Sequence, residues 1–143
     1  MPLLLATRLG FCQDSRTNNS LSIRQQSQLP GQFRELAILL VAIINGADYE
    51  YRSHIPFALE EGVSQEQIAA LPEWKNSQLF DSRQKTVLAY TDAMTKEVHV
   101  PDEVFAGVRK HFNDRELVEL TATIAAYNLV SRFLEALQID SEK

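Results

Sequence analysis

After Pro30, apolar residues recur at helical intervals, and no stretch keeps the two-residue alternation of a half-buried strand. The densest run is Leu36 to Ile44, nine residues without a polar side chain. A helix over this run, from near Pro30 to about Asn45, is apolar all round, so it must be covered on every side. Nine residues are too few for a bilayer span, which takes roughly 18 or more. The cover must therefore be protein. Asn45-Gly46 supplies the stop. A second helix is predicted from Ala47 or Asp48 to Glu61, with Gly62 just past its end. Its apolar stripe is Tyr51, Ile55, Ala58 and Leu59, and His54 lies at the stripe's edge. Pro56 falls inside this helix and withholds an N–H from the Arg52 carbonyl, which predicts a kink. A helix starting at Pro56 is the competing reading. The phase of Tyr51 with Ile55 favours the kinked helix through Pro56.

The rest of the chain divides at capping signals. Ser64 and Gln67 form a capping box, with Val63 and Ile68 as its hydrophobic staple, and this short helix ends at Leu71-Pro72. Glu73 to Phe80 is expected to be a loop that anchors Trp74 in the core. Asp81 with Gln84 caps a helix that turns Val87, Leu88, Thr91 and Met94 inward. Pro101 opens another, with Asp102 and Glu103 in its first turn and Arg109, Lys110 and His111 in its last, matching the helix dipole at both ends. Asn113 with Glu116 starts the final long helix, with Leu117, Leu120, Thr121, Ile124, Asn128 and Leu129 along one side. The fold class is all-α, a compact domain of about six helices over residues 30–143. Residues 1–29 form a leader expected to be poorly ordered or partly helical.

Composition narrows the function. The chain has 143 residues, enough for one domain with a real core. A net charge of −5 without a basic run argues against a nucleic-acid partner. No apolar run reaches membrane-span length, so no membrane partner is expected, and the expected location is cytoplasmic. The leader spaces Arg8, Arg16 and Arg24 among Ser, Thr and Gln, a composition faintly like a mitochondrial transit peptide. The single cysteine, Cys12, excludes dithiol chemistry within this chain. The three histidines, His54, His99 and His111, are scattered without metal-ligand spacing, so no metal site is expected.

The candidate chemistry lies at the first helix and the one after it. Glu50 and His54 stand at i and i+4, on one helix face. A carboxylate beside an imidazole is a minimal acid–base pair, although the same spacing also makes ordinary surface pairs. Glu35 opens the apolar helix. Arg52 and Arg132 are candidate grips for a substrate carboxylate, because a guanidinium holds carboxylates bidentately. Tyr51 and Tyr127 are candidate pocket walls.

The run Arg34-Glu35-Leu36, the apolar helix, Asn45-Gly46 and His54 resembles the signature of the carboxymuconolactone decarboxylase and AhpD-like alkylhydroperoxidase family. The resemblance extends more loosely to about Leu137, through Tyr127 to Phe133. It implies an AhpD-like arrangement of the helices, a catalytic role for His54 and a proton relay through Glu35. The family's two cysteine positions fall on Ala47 and Glu50, so neither a sulfenic acid nor a disulfide can form there. The chain is therefore similar to the decarboxylase branch, and AhpD-type peroxide reduction is opposed. On this reading the chain is a lyase-like enzyme without a cofactor. Its partner is a small-molecule carboxylate such as a lactone acid. Glu50 is expected to orient His54 and favour its charged form. A homo-oligomer is implied by the resemblance. The alternative is a binding or scaffold protein on the same fold.

Overall fold

The computed structural model describes residues 27–139. The expectations for the leader and for Cys12 concern residues outside that range, apart from the leader's last three. Six α-helices are seen among the described residues: α1 (Gly31–Asn45), α2 (Asp48–Glu60), α3 (Gln65–Ala70), α4 (Ser82–Glu97), α5 (Asp102–His111) and α6 (Asp114–Ala136). No strand occurs among those residues. None of the helices is long and apolar enough to cross a membrane.

The apolar run makes α1 the centre of the fold. Every residue from Phe33 to Ala42 is buried. One side of α1 contributes Phe33, Ala37 and Val41 to a core shared with Val87 and Tyr90 of α4, Val108 of α5, and Leu120 and Ile124 of α6. The other side contributes Leu36, Leu39 and Leu40 to a second core, with Ala58 of α2, Ile68 of α3 and Leu88 of α4. Burial of each such side chain stabilises the fold by roughly 1.5–3 kcal/mol. A helix with two oily faces thus acquires two cores.

Gly46 ends α1 in the left-handed region at φ 64°, and its N–H bonds back to carbonyls of the last turn. This reversal lets α2 fold back along α1. Helix α2 runs unbroken through Pro56, as the phase of Tyr51 and Ile55 predicts. The capping boxes at Ser64, Asp81 and Asn113 all form.

Two expectations need correction. Residues 73–80 are not wholly a loop, because Leu71–Asn76 forms a 3₁₀ turn. Pro72 withholds an N–H and fixes its own φ early in this turn, and Trp74 is driven into the second core. Leu129 is not on the inward side of α6 but 54% exposed. It lies five residues beyond Ile124, about 140° around the helix from that core position.

Gly46→Ala tests the turn in isolation, since a Cβ there meets nothing within 4 Å. The variant is expected to lose about 1–2 kcal/mol, the cost of a left-handed L-residue. Leu120→Ala, in a fully buried position, is expected to lose about 2–5 kcal/mol. Urea unfolding measures both.

Candidate functional site

Glu35 sits one turn into α1 with 0% exposure. An ionised carboxylate at such depth needs a charge-bearing partner or donor. Two residues supply it. His54 of α2 places Nδ1 2.9 Å from Glu35 Oε2. Arg34, itself buried, places Nε 3.7 Å from Oε1. The Arg34 guanidinium also reaches outward, donating from Nη2 to Glu61 Oε1 at 3.3 Å.

The turn at Asn45-Gly46 brings the two partners together. It folds α2 against α1, so Glu35, one turn into α1, faces His54 at the middle of α2. When Glu35 is ionised it can only accept, and Nδ1 of His54 is then the donor in this contact. Nε2 is then the ring nitrogen free to exchange a proton with another group. The ring is boxed by aromatics. Tyr127 of α6 meets it edge-on at 5.0 Å between centroids, and Phe57 lies tilted at 5.7 Å. The His54 side chain keeps 10% of its surface exposed.

Glu50 is also buried, at 2% exposure, but it does not orient His54 as the spacing suggested. Its Oε2 accepts a hydrogen bond from the Ser131 hydroxyl of α6. Its Oε1 has no hydrogen-bond partner among the described residues. The reason is rotational. Glu35 captures the imidazole from the α1 side, while the Glu50 side chain, one turn earlier on α2, points to α6. Burial pushes the Glu50 carboxyl up to about 7; the Ser131 bond lowers it in part, and the nearby Glu135 charge raises it further. The site therefore holds two carboxyl groups in different settings. One is paired with the imidazole and the other is poised near neutrality.

The remaining candidates are placed less centrally. Tyr127 forms the wall just described. Tyr51 is half-buried and packs on the second core. Arg52 is exposed. Arg132 is exposed too, and its Nη1 donates to Oδ1 and the carbonyl of Asn128 at 2.7 and 3.1 Å. Asn128 continues to Asn45 of α1 and Thr95 of α4. Ser131 and Phe57 were not among the sequence candidates. Phe57 could have been found, since it is three residues from His54 on the same helix. Ser131 is 81 residues from Glu50 and carries no local signal. No group of three or more His, Cys, Asp or Glu among the described residues could hold a metal ion.

A cavity of about 330 Å³ lies elsewhere, between α1, α4 and the 3₁₀ turn. Ile43, Ile44, Trp74, Lys75, Asp92 and Lys96 are among its lining residues, and neither Glu50 nor His54 is.

Comparison with known proteins agrees with the fold. The profile of the carboxymuconolactone decarboxylase family matches residues 4–93. The match begins within the leader that the motif-based resemblance left out. The uncharacterised protein YdfG of Bacillus subtilis (strain 168) is 26% identical over 110 residues, spanning 76% of this chain and 75% of its own. The uncharacterised protein YnjA of Escherichia coli (strain K12) is 31% identical over 80 residues, 55% of this chain and 44% of its own. Among solved structures, a protein of unknown function from Agrobacterium tumefaciens, proposed to be the antioxidant defence protein AhpD, superposes with a TM-score of 0.80 at 27% identity. That likeness covers 87% of this chain and 86% of the other. A cysteine-to-alanine variant of the debrominase Bmp8, in complex with 2,3,4-tribromopyrrole, gives a TM-score of 0.74 at 19% identity and covers 84% of this chain and 65% of its own. The latter likeness is one of fold.

The buried Glu50 makes stability depend on pH. Its folded value, about 7, lies above the ordinary value of 4.5 for a glutamate carboxyl. Its contribution is fully present below about pH 4.5 and is lost as pH rises through about 7, because the folded state must then ionise a buried group. Glu50→Gln is expected to flatten the stability profile between those values, by up to about 3 kcal/mol relative to wild type. Urea midpoints across that range measure it.

Proposed function

Because the chain belongs to the carboxymuconolactone decarboxylase family, we propose that it is a cofactor-independent acid–base enzyme acting on a small carboxylated lactone or related enolisable acid. The observation that carries this reading is the buried Glu35–His54 pair, 2.9 Å apart and walled by Tyr127 and Phe57. A carboxylate on Nδ1 sets the tautomer and orients the ring, which leaves Nε2 as the nitrogen that can act as general acid.

Decarboxylation fits such a pair. The bond between the carboxylate carbon and the ring carbon breaks, and carbon dioxide leaves. The electron pair delocalises into the lactone carbonyl as a dienolate. Charged His54 then delivers a proton to carbon and is left neutral, and water or a nearby acid restores it. Glu35 stabilises the charged ring before the transfer. Arg52 and Arg132 are the proposed carboxylate grips, and Tyr51 and Tyr127 the proposed walls. A homo-oligomer in the cytoplasm is part of the same proposal. Exposed Val118 and Leu129 offer apolar surface on α6 to a second copy.

Thiol chemistry is a poor fit. Ala47 and Glu50 occupy the family's cysteine positions, and the chain's one cysteine is Cys12. A second reading, a non-catalytic binding protein on the same fold, is favoured by one observation. The 330 Å³ cavity does not include His54.

Gamma-carboxymuconolactone offered to wild type and to His54→Ala separates the readings. His54→Ala is expected to lower kcat by about 100-fold or more. Glu35→Gln is expected to lower it as well, with folding retained. Equal rates would remove His54 from the mechanism. Absence of turnover across carboxylated lactones would favour the binding protein.

A further inference from the structure

Glu50 and Ser131 meet in the interior although 81 residues separate them. Ser131 has 0% exposure and Glu50 has 2%. Two buried polar groups at a helix contact are costly unless each satisfies the other. Here only half of the carboxyl group is satisfied. Oε2 takes the serine hydroxyl, while Oε1 has no protein partner among the described residues. A carboxyl group needed only for packing gains nothing from an open oxygen. One used to move a proton requires it. Glu50 also lies one helical turn before His54, so their Cβ atoms are separated by about 5–6 Å.

We infer that Ser131 is a positioning residue: by donating its hydroxyl to Oε2, it fixes the Glu50 carboxyl group so that Oε1 serves as a second proton station at the α2–α6 contact, one helical turn along α2 from His54. This deepens the acid–base reading above and rests on it for its place in turnover. The division of labour is geometric. Glu35 holds Nδ1 of His54 from the α1 side. Glu50, held from the α6 side, is free to take up or release a proton. A carboxyl group that changes charge near neutral pH can return the proton that His54 gives to carbon, and can regain its own from water.

The groups surrounding Glu50 set the sign of the test. Glu135 of α6 disfavours its ionised form. Arg132, next to Ser131, is bonded to Asn128. His54 lies on the same helix and is paired with Glu35 of α1. The Ser131 hydroxyl is the hydrogen bond that favours the ionised form. Removing it leaves burial and Glu135 unopposed, so the neutral form persists to higher pH.

Infrared difference spectroscopy of the full chain reads this without any substrate. The carboxylic C=O band lost in Glu50→Gln identifies the group. In wild type its midpoint is expected near pH 7. In Ser131→Ala the midpoint is expected to rise by about one pH unit or more. Ser131→Cys, close in size and a weak donor, is expected to fall between the two; it carries the test alone if the alanine variant does not fold. An unchanged midpoint in a folded variant overturns the inference, as does a wild-type band that titrates in the ordinary carboxyl range. A shifted midpoint in a protein that turns over no lactone acid leaves Ser131 as the positioner of Glu50 and defeats the decarboxylase reading instead. Turnover with an unshifted midpoint does the reverse.

Discussion

A carboxylate buried inside an apolar helix is the constraint around which this protein is arranged. Glu35 has no exposed surface, and the nine apolar residues after it bind α1 into two cores at once. Desolvating an ion at that depth costs several kcal/mol unless partners are placed for it. His54 and Arg34 are those partners. The pairing sets the register of α2 on α1, because a slip of one residue would turn the imidazole away from the carboxylate by about 100°. The buried ion pair and the packing of the central helix pair are thus the same contact.

Helix α6 is the second organising element. It closes the first core with Leu120 and Ile124, walls His54 with Tyr127 and holds Glu50 with Ser131. It also secures the start of the described chain. Glu119 accepts from the Ser27 hydroxyl at 2.7 Å and from the Leu29 N–H at 2.9 Å. One helix therefore ties the lead-in, the core and the site together. A change that shifted α6 along its axis would disturb all three.

Much of the architecture was legible because its signals are local. Capping boxes, the glycine reversal at Gly46 and the apolar run each declare themselves within a few residues, and the elements follow them. The contacts among the candidate residues were less legible than the elements that carry them. Glu35, His54 and Tyr127 do meet, yet the i, i+4 rule assigned the imidazole to Glu50, which turns to Ser131 while Glu35 takes the ring. A spacing rule describes one helix in isolation, whereas the partner of a buried side chain is chosen by the helix packed against it. Ser131 was invisible for the same reason, since only the α2–α6 crossing gives it a role.

The placement of Trp74 has an optical corollary. It is the chain's one tryptophan, it lines the cavity rather than the acid–base pair, and the Lys75 ammonium lies 5.6 Å from the centre of its ring. Its fluorescence is therefore a gauge of what happens between α1, α4 and the 3₁₀ turn. Events at the imidazole can pass without altering that emission, and a molecule lodging in the hollow can quench it while the imidazole is undisturbed. The protein carries a built-in lamp that illuminates the room next door to the Glu35–His54 pair.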